Sequence, residues 1–107
     1  MRKASFEKAM EYVIQVKEDE GKSNNSIKGY RTHMKAFGEY LHSQGIYNLD
    51  DVSSSHVRQF MKQERERGLK QVSLNNRIRY IRASFNILIR DGLYIDKNGE
   101  DRKNPAR

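Results

Sequence analysis

The sequence predicts a compact all-α domain built from four helices, and two observations carry this prediction. The chain of 107 residues contains one proline, Pro105, so nothing before it forbids helix on proline grounds. Apolar residues recur at spacings of three and four along stretches that each end at a glycine, which is the pattern of amphipathic helices and their stops. The four glycines are Gly21, Gly45, Gly68 and Gly92.

The first two predicted helices cover residues 5–19 and 24–43. Ser5 is a suitable N-cap for the first helix, and Phe6, Met10 and Val13 follow it at helical spacing. The second helix has a regular apolar stripe, because its members are spaced three, four, three and four residues apart. This stripe consists of Ile27, Tyr30, Met34, Phe37 and Leu41.

The third and fourth predicted helices complete the domain. The third follows the serine cluster at 53–55, carries Val57, Phe60 and Met61, and ends before Gly68. The fourth covers residues 72–91, and its apolar residues are spaced four, three, four and three apart. They are Leu74, Ile78, Ile81, Phe85 and Leu88. Four one-sided helices with short connections predict a bundle-like or orthogonal arrangement.

The length fits one domain, and we expect the four-helix domain to occupy residues 1–94. The remaining residues, 95–107, read as a polar, irregular tail with a turn at Asn98-Gly99. Asn104-Pro105 is expected to lead into a linker to a further domain. What precedes Met1 is left open.

Composition restricts the class of partner. Charged residues make up 33% of the chain and its formal net charge is +7, which favours nucleic acid, an anionic membrane or an acidic protein as partner. The absence of cysteine excludes disulfides and thiolate metal sites and suits a reducing compartment. The apolar runs are too short to span a bilayer, and no secretory signal is visible. We therefore expect no membrane partner.

The positive charge is concentrated in two stretches without any acidic residue. Residues 21–38 contain four cations, and residues 67–90 contain six. The second and fourth helices thus forgo the opposite-charge pairs that support a solvated helix. If they lie side by side, one face of the domain is positive, as in a nucleic-acid-binding protein. The alternative is that these are merely two basic, solvated helices.

Polar side chains share faces with these cations. On the fourth helix, one line contains Asn75, Arg79, Arg82 and Asn86, residue types that pair with base edges in the major groove. A neighbouring line contains Ser73, Asn76 and Tyr80. On the second helix, Lys28, Thr32 and Lys35 share a face. Gly29 stands mid-helix, so either something approaches the backbone there or a poor helix former is tolerated.

Catalytic and metal-binding patterns are missing from the sequence. His33, His42 and His56 lack the spacing of a metal site, and there is no glycine-rich phosphate loop. We expect no cofactor, no metal, no catalytic residue and no small-molecule substrate for this chain.

Several short patterns occur in a characteristic order. Ser26-Ile27-Lys28-Gly29-Tyr30 opens a basic helix and is followed by Gly45-Ile46 and Leu49-Asp50-Asp51-Val52. Ser73-Leu74-Asn75-Asn76-Arg77-Ile78 then opens a second basic helix, which is followed by Asp91-Gly92-Leu93 and Asn104-Pro105. This order resembles the SAM-like core-binding domain of phage integrases and other tyrosine recombinases. The chain departs from the family pattern between Leu93 and Asn104-Pro105. The family often has only a few residues there, whereas this chain has the polar, charged segment 94–103.

The resemblance implies half of a clamp around duplex DNA, with the second and fourth helices facing the major groove. It also implies that the full-length protein is a tyrosine recombinase, with other protomers as partners and a cytoplasmic, nucleoid-associated location in a bacterium or phage-infected cell. It does not make the present chain an enzyme, because no His-x-x-Arg box accompanies its tyrosines. The expected DNA-binding residues, from charge and resemblance together, are Lys22, Asn25, Ser26, Lys28, Gly29, Arg31, Thr32, Lys35, Lys70, Ser73, Asn76, Arg77, Arg79, Tyr80 and Arg82.

Two other functions are compatible with the residues. The first is a helix-turn-helix regulator, although no pair of short helices with a tight turn stands out. The second is a helical protein-interaction module whose basic face binds an acidic partner.

Overall fold

Each apolar stripe forms the buried face of a helix in the computed structural model, which describes residues 5–96 and 98–106. Over these residues the chain forms α1 (Phe6–Asp19), α2 (Asn24–Ser43), α3 (Ser54–Glu66) and α4 (Gln71–Arg90). A 3-10 helix at Leu49–Asp51, which the sequence did not predict, precedes α3. The predicted all-α, four-helix class is confirmed, and each helix begins and ends within one or two residues of its predicted bounds.

The helices start and stop for the local reasons that the sequence suggested. The Ser5 hydroxyl accepts a hydrogen bond from the backbone N–H of Lys8 and caps α1. Ser23 caps α2 through the N–H of Ser26, and Ser53 forms a capping box with His56 at the start of α3. Gly68 follows α3 with a φ of 92°, a left-handed conformation that glycine adopts without steric cost.

The core lies between α2 and α4, with α1 and α3 packed on either side. Phe37 of α2 is fully buried and contacts Phe6 of α1 edge-on, with ring centroids 5.6 Å apart. It also packs against Phe60 of α3 at 5.2 Å. Because one aromatic ring touches two neighbouring helices, the position of α2 is determined by packing on both sides.

The tail folds back onto the helices. Tyr94 is buried, and its hydroxyl donates to the carbonyl oxygen of Val52 at 2.6 Å. The guanidinium of Arg102 lies 4.1 Å from the centroid of the Tyr94 ring and donates to the carbonyls of Asp50 and Val52. An isolated bridge pairs Ile95 with Asp101. The segment predicted to be an irregular tail is therefore anchored to the domain at Arg102 and at residues 104–106, while its other described residues are exposed.

The domain boundary at residue 94 remains a prediction. Residues 1–4 of the predicted domain, and residues 97 and 107 of the predicted tail, lie outside the described residues. Across the described ranges, no helix combines the length and apolar character needed to cross a membrane. In the same part of the chain, no group of His, Asp or Glu side chains is arranged to hold a metal ion.

Candidate nucleic-acid interface

The two basic helices meet where Gly29 of α2 faces Tyr80 of α4. A Cβ built on Gly29 would lie 2.9 Å from Cε1 of Tyr80 and still closer to its Cζ and hydroxyl oxygen. The Tyr80 ring contacts Tyr30 edge-on at 4.8 Å and stacks on the His33 ring at 4.9 Å. Of the two explanations that the sequence left open for Gly29, the structure favours close approach, and the approaching group is Tyr80.

Exposed polar side chains surround this crossing. Lys28 precedes Gly29 and is exposed, as are Thr32 and Lys35 on the same face of α2. On α4, Arg79 precedes Tyr80 and is exposed. Ser26, Ser73 and Asn76 are half-buried, and Lys22, Asn25 and Lys70 are exposed near the starts of the two helices.

Two of the predicted DNA-binding arginines form ion pairs. Arg31 lies 3.2 Å from Glu18 of α1. Arg77 donates from Nε to Glu64 of α3 at 2.9 Å, and its Nη1 lies 3.0 Å from Nδ1 of His33. The Arg77 side chain is 12% exposed. Arg77 therefore connects α2, α3 and α4, and most of its surface is unavailable to a ligand.

The neutral form of His33 suits this arrangement. Burial, and to a smaller extent the Arg77 guanidinium, lower the pKa of His33 below its ordinary value of 6.5. A neutral imidazole can accept the Arg77 hydrogen bond at Nδ1, whereas a protonated ring would place two cations together.

A third predicted arginine binds the tail. Arg82 donates from Nε to the carbonyl oxygen of Ala106 at 3.1 Å. Asn104 donates to the carbonyl of Arg82 and to Oδ1 of Asn86, both at 2.8 Å. The line formed by Asn75, Arg79, Arg82 and Asn86 is thus divided, because Arg82 and Asn86 hydrogen-bond to the tail while Arg79 has no such contact among the described residues.

The cations that remain are distributed along α2 and α4. In the ranges 5–96 and 98–106, five of the predicted cations are exposed and form neither an ion pair nor a side-chain hydrogen bond; they are Lys22, Lys28, Lys35, Lys70 and Arg79. The acids that neutralise Arg31 and Arg77 come from α1 and α3. A set of unneutralised cations therefore flanks the α2–α4 crossing.

Sequence reasoning missed a polar groove between α2 and α3. Its volume is about 420 Å³, and its lining includes Thr32 and Lys35 of α2, Glu64 and Arg67 of α3, and Arg77 of α4. Glu64 is buried and contacts both arginines at 2.9 Å. The spacing of Glu64 and Arg67 signals their pairing in the sequence, but the contact with Arg77, thirteen residues away, has no local signal.

The arrangement of helices is shared with a known class of domain. The fold matches the crystal structure of the N-terminal domain of a phage integrase/site-specific recombinase (tnp) from Haloarcula marismortui with a TM-score of 0.80. The two chains are 16% identical, and the match covers 98% of this chain and 100% of that one. At this identity the likeness shows the fold alone.

The sequence comparison identifies the family. Residues 9–92 match the family model described as phage integrase, N-terminal SAM-like domain. The chain belongs to this family, and the resemblance stated from the sequence is confirmed.

Named relatives are tyrosine recombinases. Tyrosine recombinase XerC of Bacillus licheniformis is 32% identical over 71 residues, which are 66% of this chain and 23% of that protein. XerC of Oceanobacillus iheyensis is 26% identical over 87 residues, 81% of this chain and 28% of that protein. XerD of Shewanella oneidensis is 32% identical over 69 residues, 64% of this chain and 23% of that protein. The chain spans about a quarter of the length of these relatives.

Proposed function

We propose that this domain binds duplex DNA as one half of the clamp of a tyrosine recombinase. The observation that carries the proposal is the set of five exposed cations on and beside α2 and α4 that form neither an ion pair nor a side-chain hydrogen bond in the described chain, two of which adjoin the place where Tyr80 packs on Gly29. Unneutralised cations on two helices that pack together favour a polyanion.

The expected mode of binding is contact with phosphates and little reading of bases. Each neutralised phosphate contributes about −0.9 to the slope of log affinity against log salt. If all five cations bind phosphates, the slope is about −4.5. The side chains proposed to touch DNA through hydroxyls and amides are Asn25, Ser26, Thr32, Ser73 and Asn76.

The other predicted residues are proposed to act by positioning. Gly29 and Tyr80 set the approach of α2 to α4, and Arg77 holds both helices to α3. Arg31 pairs with Glu18 and Arg82 donates to the tail, so each offers DNA fewer free donors than an arginine without such a contact.

Catalysis is proposed to lie outside this chain. The relatives XerC and XerD are tyrosine recombinases about three times its length. We propose that the full-length protein performs site-specific recombination, assembles with other protomers on DNA and works in the cytoplasm. The DNA clamp then supplies affinity and placement, while a further domain supplies the chemistry.

Fluorescence anisotropy with a short labelled duplex tests the DNA proposal. The double variant Lys28→Ala/Lys35→Ala should bind more weakly and show a salt slope that is smaller by about 2. Lys62→Ala, an exposed lysine of α3 without an ion pair in the described chain, is the matched control and should leave the slope unchanged. Binding that does not respond to salt, or equal losses in the two variants, would contradict the proposal.

One feature of the fold favours a second candidate, the helix-turn-helix regulator. Four residues, 67–70, separate α3 from α4, which is the connection length of that motif. A regulator predicts a stable dimer on a palindromic site. Sedimentation of the protein with and without duplex separates the candidates, because the clamp domain should bind a non-palindromic duplex as a monomer.

A further inference from the structure

The groove between α2 and α3 adjoins the cations proposed to bind DNA. Lys35 and Thr32 of α2 form one side of it, and Arg67 at the end of α3 lies on the other. Arg67 was not among the residues predicted to bind DNA, and its side chain is 63% exposed. The groove therefore brings a third helix into contact with the candidate interface.

Glu64 positions Arg67 without neutralising the groove. One of its carboxylate oxygens contacts Nη2 of Arg67 at 2.9 Å, and the other contacts Nε of Arg77 at the same distance. One negative charge thus lies between two guanidinium groups, and the cluster keeps an uncompensated positive charge. Because the Glu64 side chain is 3% exposed, its carboxylate is largely covered from a ligand in the groove.

The positioning also lowers the cost of binding. A free arginine loses rotamer freedom when it binds a ligand, and a preorganised one loses less. Nη2 of Arg67 is already held by Glu64, while its other N–H groups remain available as donors. The Thr32 hydroxyl and the Lys35 ammonium add donors from the opposite side.

We propose that the α2–α3 groove binds one backbone phosphate of the DNA, with Lys35 and Arg67 as its two cationic ligands. This inference rests on the proposed function. It makes α3 part of the DNA-binding surface and assigns Glu64 as the residue that positions Arg67. Glu39, an exposed acid that also lines the groove, opposes phosphate binding there.

The test compares two arginines of α3 in the duplex-binding assay. Arg67→Ala should lower affinity about eightfold at about 0.1 M salt, which is one phosphate's share of counterion release. Arg65 is the matched control, because it is exposed and lies about 200° around the helix from Arg67. Arg65→Ala should leave affinity within about twofold of wild type.

A double-mutant cycle distinguishes one shared phosphate from two separate contacts. If Lys35 and Arg67 bind the same phosphate, Lys35→Ala/Arg67→Ala loses less affinity than the product of the single losses. The magnitude of the slope of log affinity against log salt is then smaller than in wild type by about 0.9 rather than by about 1.8. Additive losses with the larger slope change would overturn the shared site.

Glu39→Gln is a variant for which we expect tighter rather than weaker DNA binding, and it leaves the Glu64 ion pairs intact. Removing this acid should strengthen binding by about twofold through reduced repulsion. Should Arg67→Ala lower the melting temperature, Lys35→Ala and Glu39→Gln carry the test instead. Unchanged binding in Arg67→Ala, with wild type bound normally, would overturn the groove site and leave the proposed function standing. Wild type that does not bind duplex would overturn both.

Discussion

Gly29→Ala should destabilise the domain even though alanine is the better helix former. Alanine at a helix interior gains about 0.8–1.0 kcal/mol over glycine. Here the added methyl would overlap the Tyr80 ring, since it would lie 2.9 Å from Cε1 and closer to two further atoms. Overpacking of this kind costs about 1–3 kcal/mol.

Displacement of Tyr80 adds a second loss. Its contacts with Tyr30 and His33 are aromatic pairs at 4.8 and 4.9 Å, each worth about 0.5–1.5 kcal/mol beyond buried area. Partial loss of these pairs outweighs the gain in helix propensity. We expect the free energy of unfolding to fall by about 1–2 kcal/mol, which lowers the melting temperature by about 4–8 °C per kcal/mol in a domain of this size.

Urea denaturation of a two-by-two set of variants isolates the cause. In a Tyr80→Ala background the obstructing ring is absent, so Gly29→Ala should become stabilising by about 0.8–1.0 kcal/mol. Gly29→Ala should therefore lower the free energy of unfolding when Tyr80 is present and raise it when Tyr80 is replaced by alanine. Helix propensity alone cannot produce this reversal, because it acts equally in both backgrounds. Stabilisation by Gly29→Ala in the wild-type background would refute the account of the α2–α4 crossing.

Three further predictions follow from buried polar contacts. Glu64→Ala leaves Arg77 without its counter-charge and should lower the urea-derived free energy of unfolding by about 3–5 kcal/mol. Substitution of an exposed acid such as Glu11 should change this free energy by no more than about 0.5 kcal/mol. An equally small loss in Glu64→Ala would argue against the ion pair. Because the folded-state pKa of His33 lies below 6.5, the unfolded chain binds more protons, so stability should fall as pH drops below about 6.5. In His33→Gln the melting temperature should fall less steeply as the pH is lowered below about 6.5. The same pH dependence of the melting temperature in wild type and variant would contradict this prediction. Asn104→Ala removes two hydrogen bonds to α4, together with the bond that its Oδ1 accepts from the Ala106 N–H, and should lower the urea-derived free energy of unfolding by about 1–3 kcal/mol. An unchanged free energy of unfolding would show that other contacts hold the tail.

The helices were predictable because their determinants are local. Caps, stops and apolar spacing act over a few residues, so Ser5, the serine cluster at 53–55 and the glycines define boundaries that the structure reproduces within one or two positions. The 3-10 turn at Leu49–Asp51 was not predicted because three residues are too short to show a periodic pattern.

The partners of the arginines were not predictable in the same way. Composition shows that residues 67–90 lack acids, but Glu64 lies just outside this stretch and Glu18 lies in another helix. Whether a cation is neutralised depends on which helices pack together, and this is set by the whole core. Charge counting along the chain therefore identified the basic helices and overestimated how many of their arginines lack an ion pair.

The two polar lines on α4 contact different parts of the chain, and these contacts are set by residues distant in sequence. Arg82 and Asn86 contact a tail that begins near Tyr94, whereas Tyr80 contacts α2. A helical wheel places both lines on polar surface, because it contains no information about segments that fold back. The Ser73–Asn76–Tyr80 line carried by the family resemblance ends at the α2–α4 crossing, and the Arg79–Arg82 line derived from charge runs toward the tail. Packing between distant segments therefore decides which polar line of α4 shares a surface with α2.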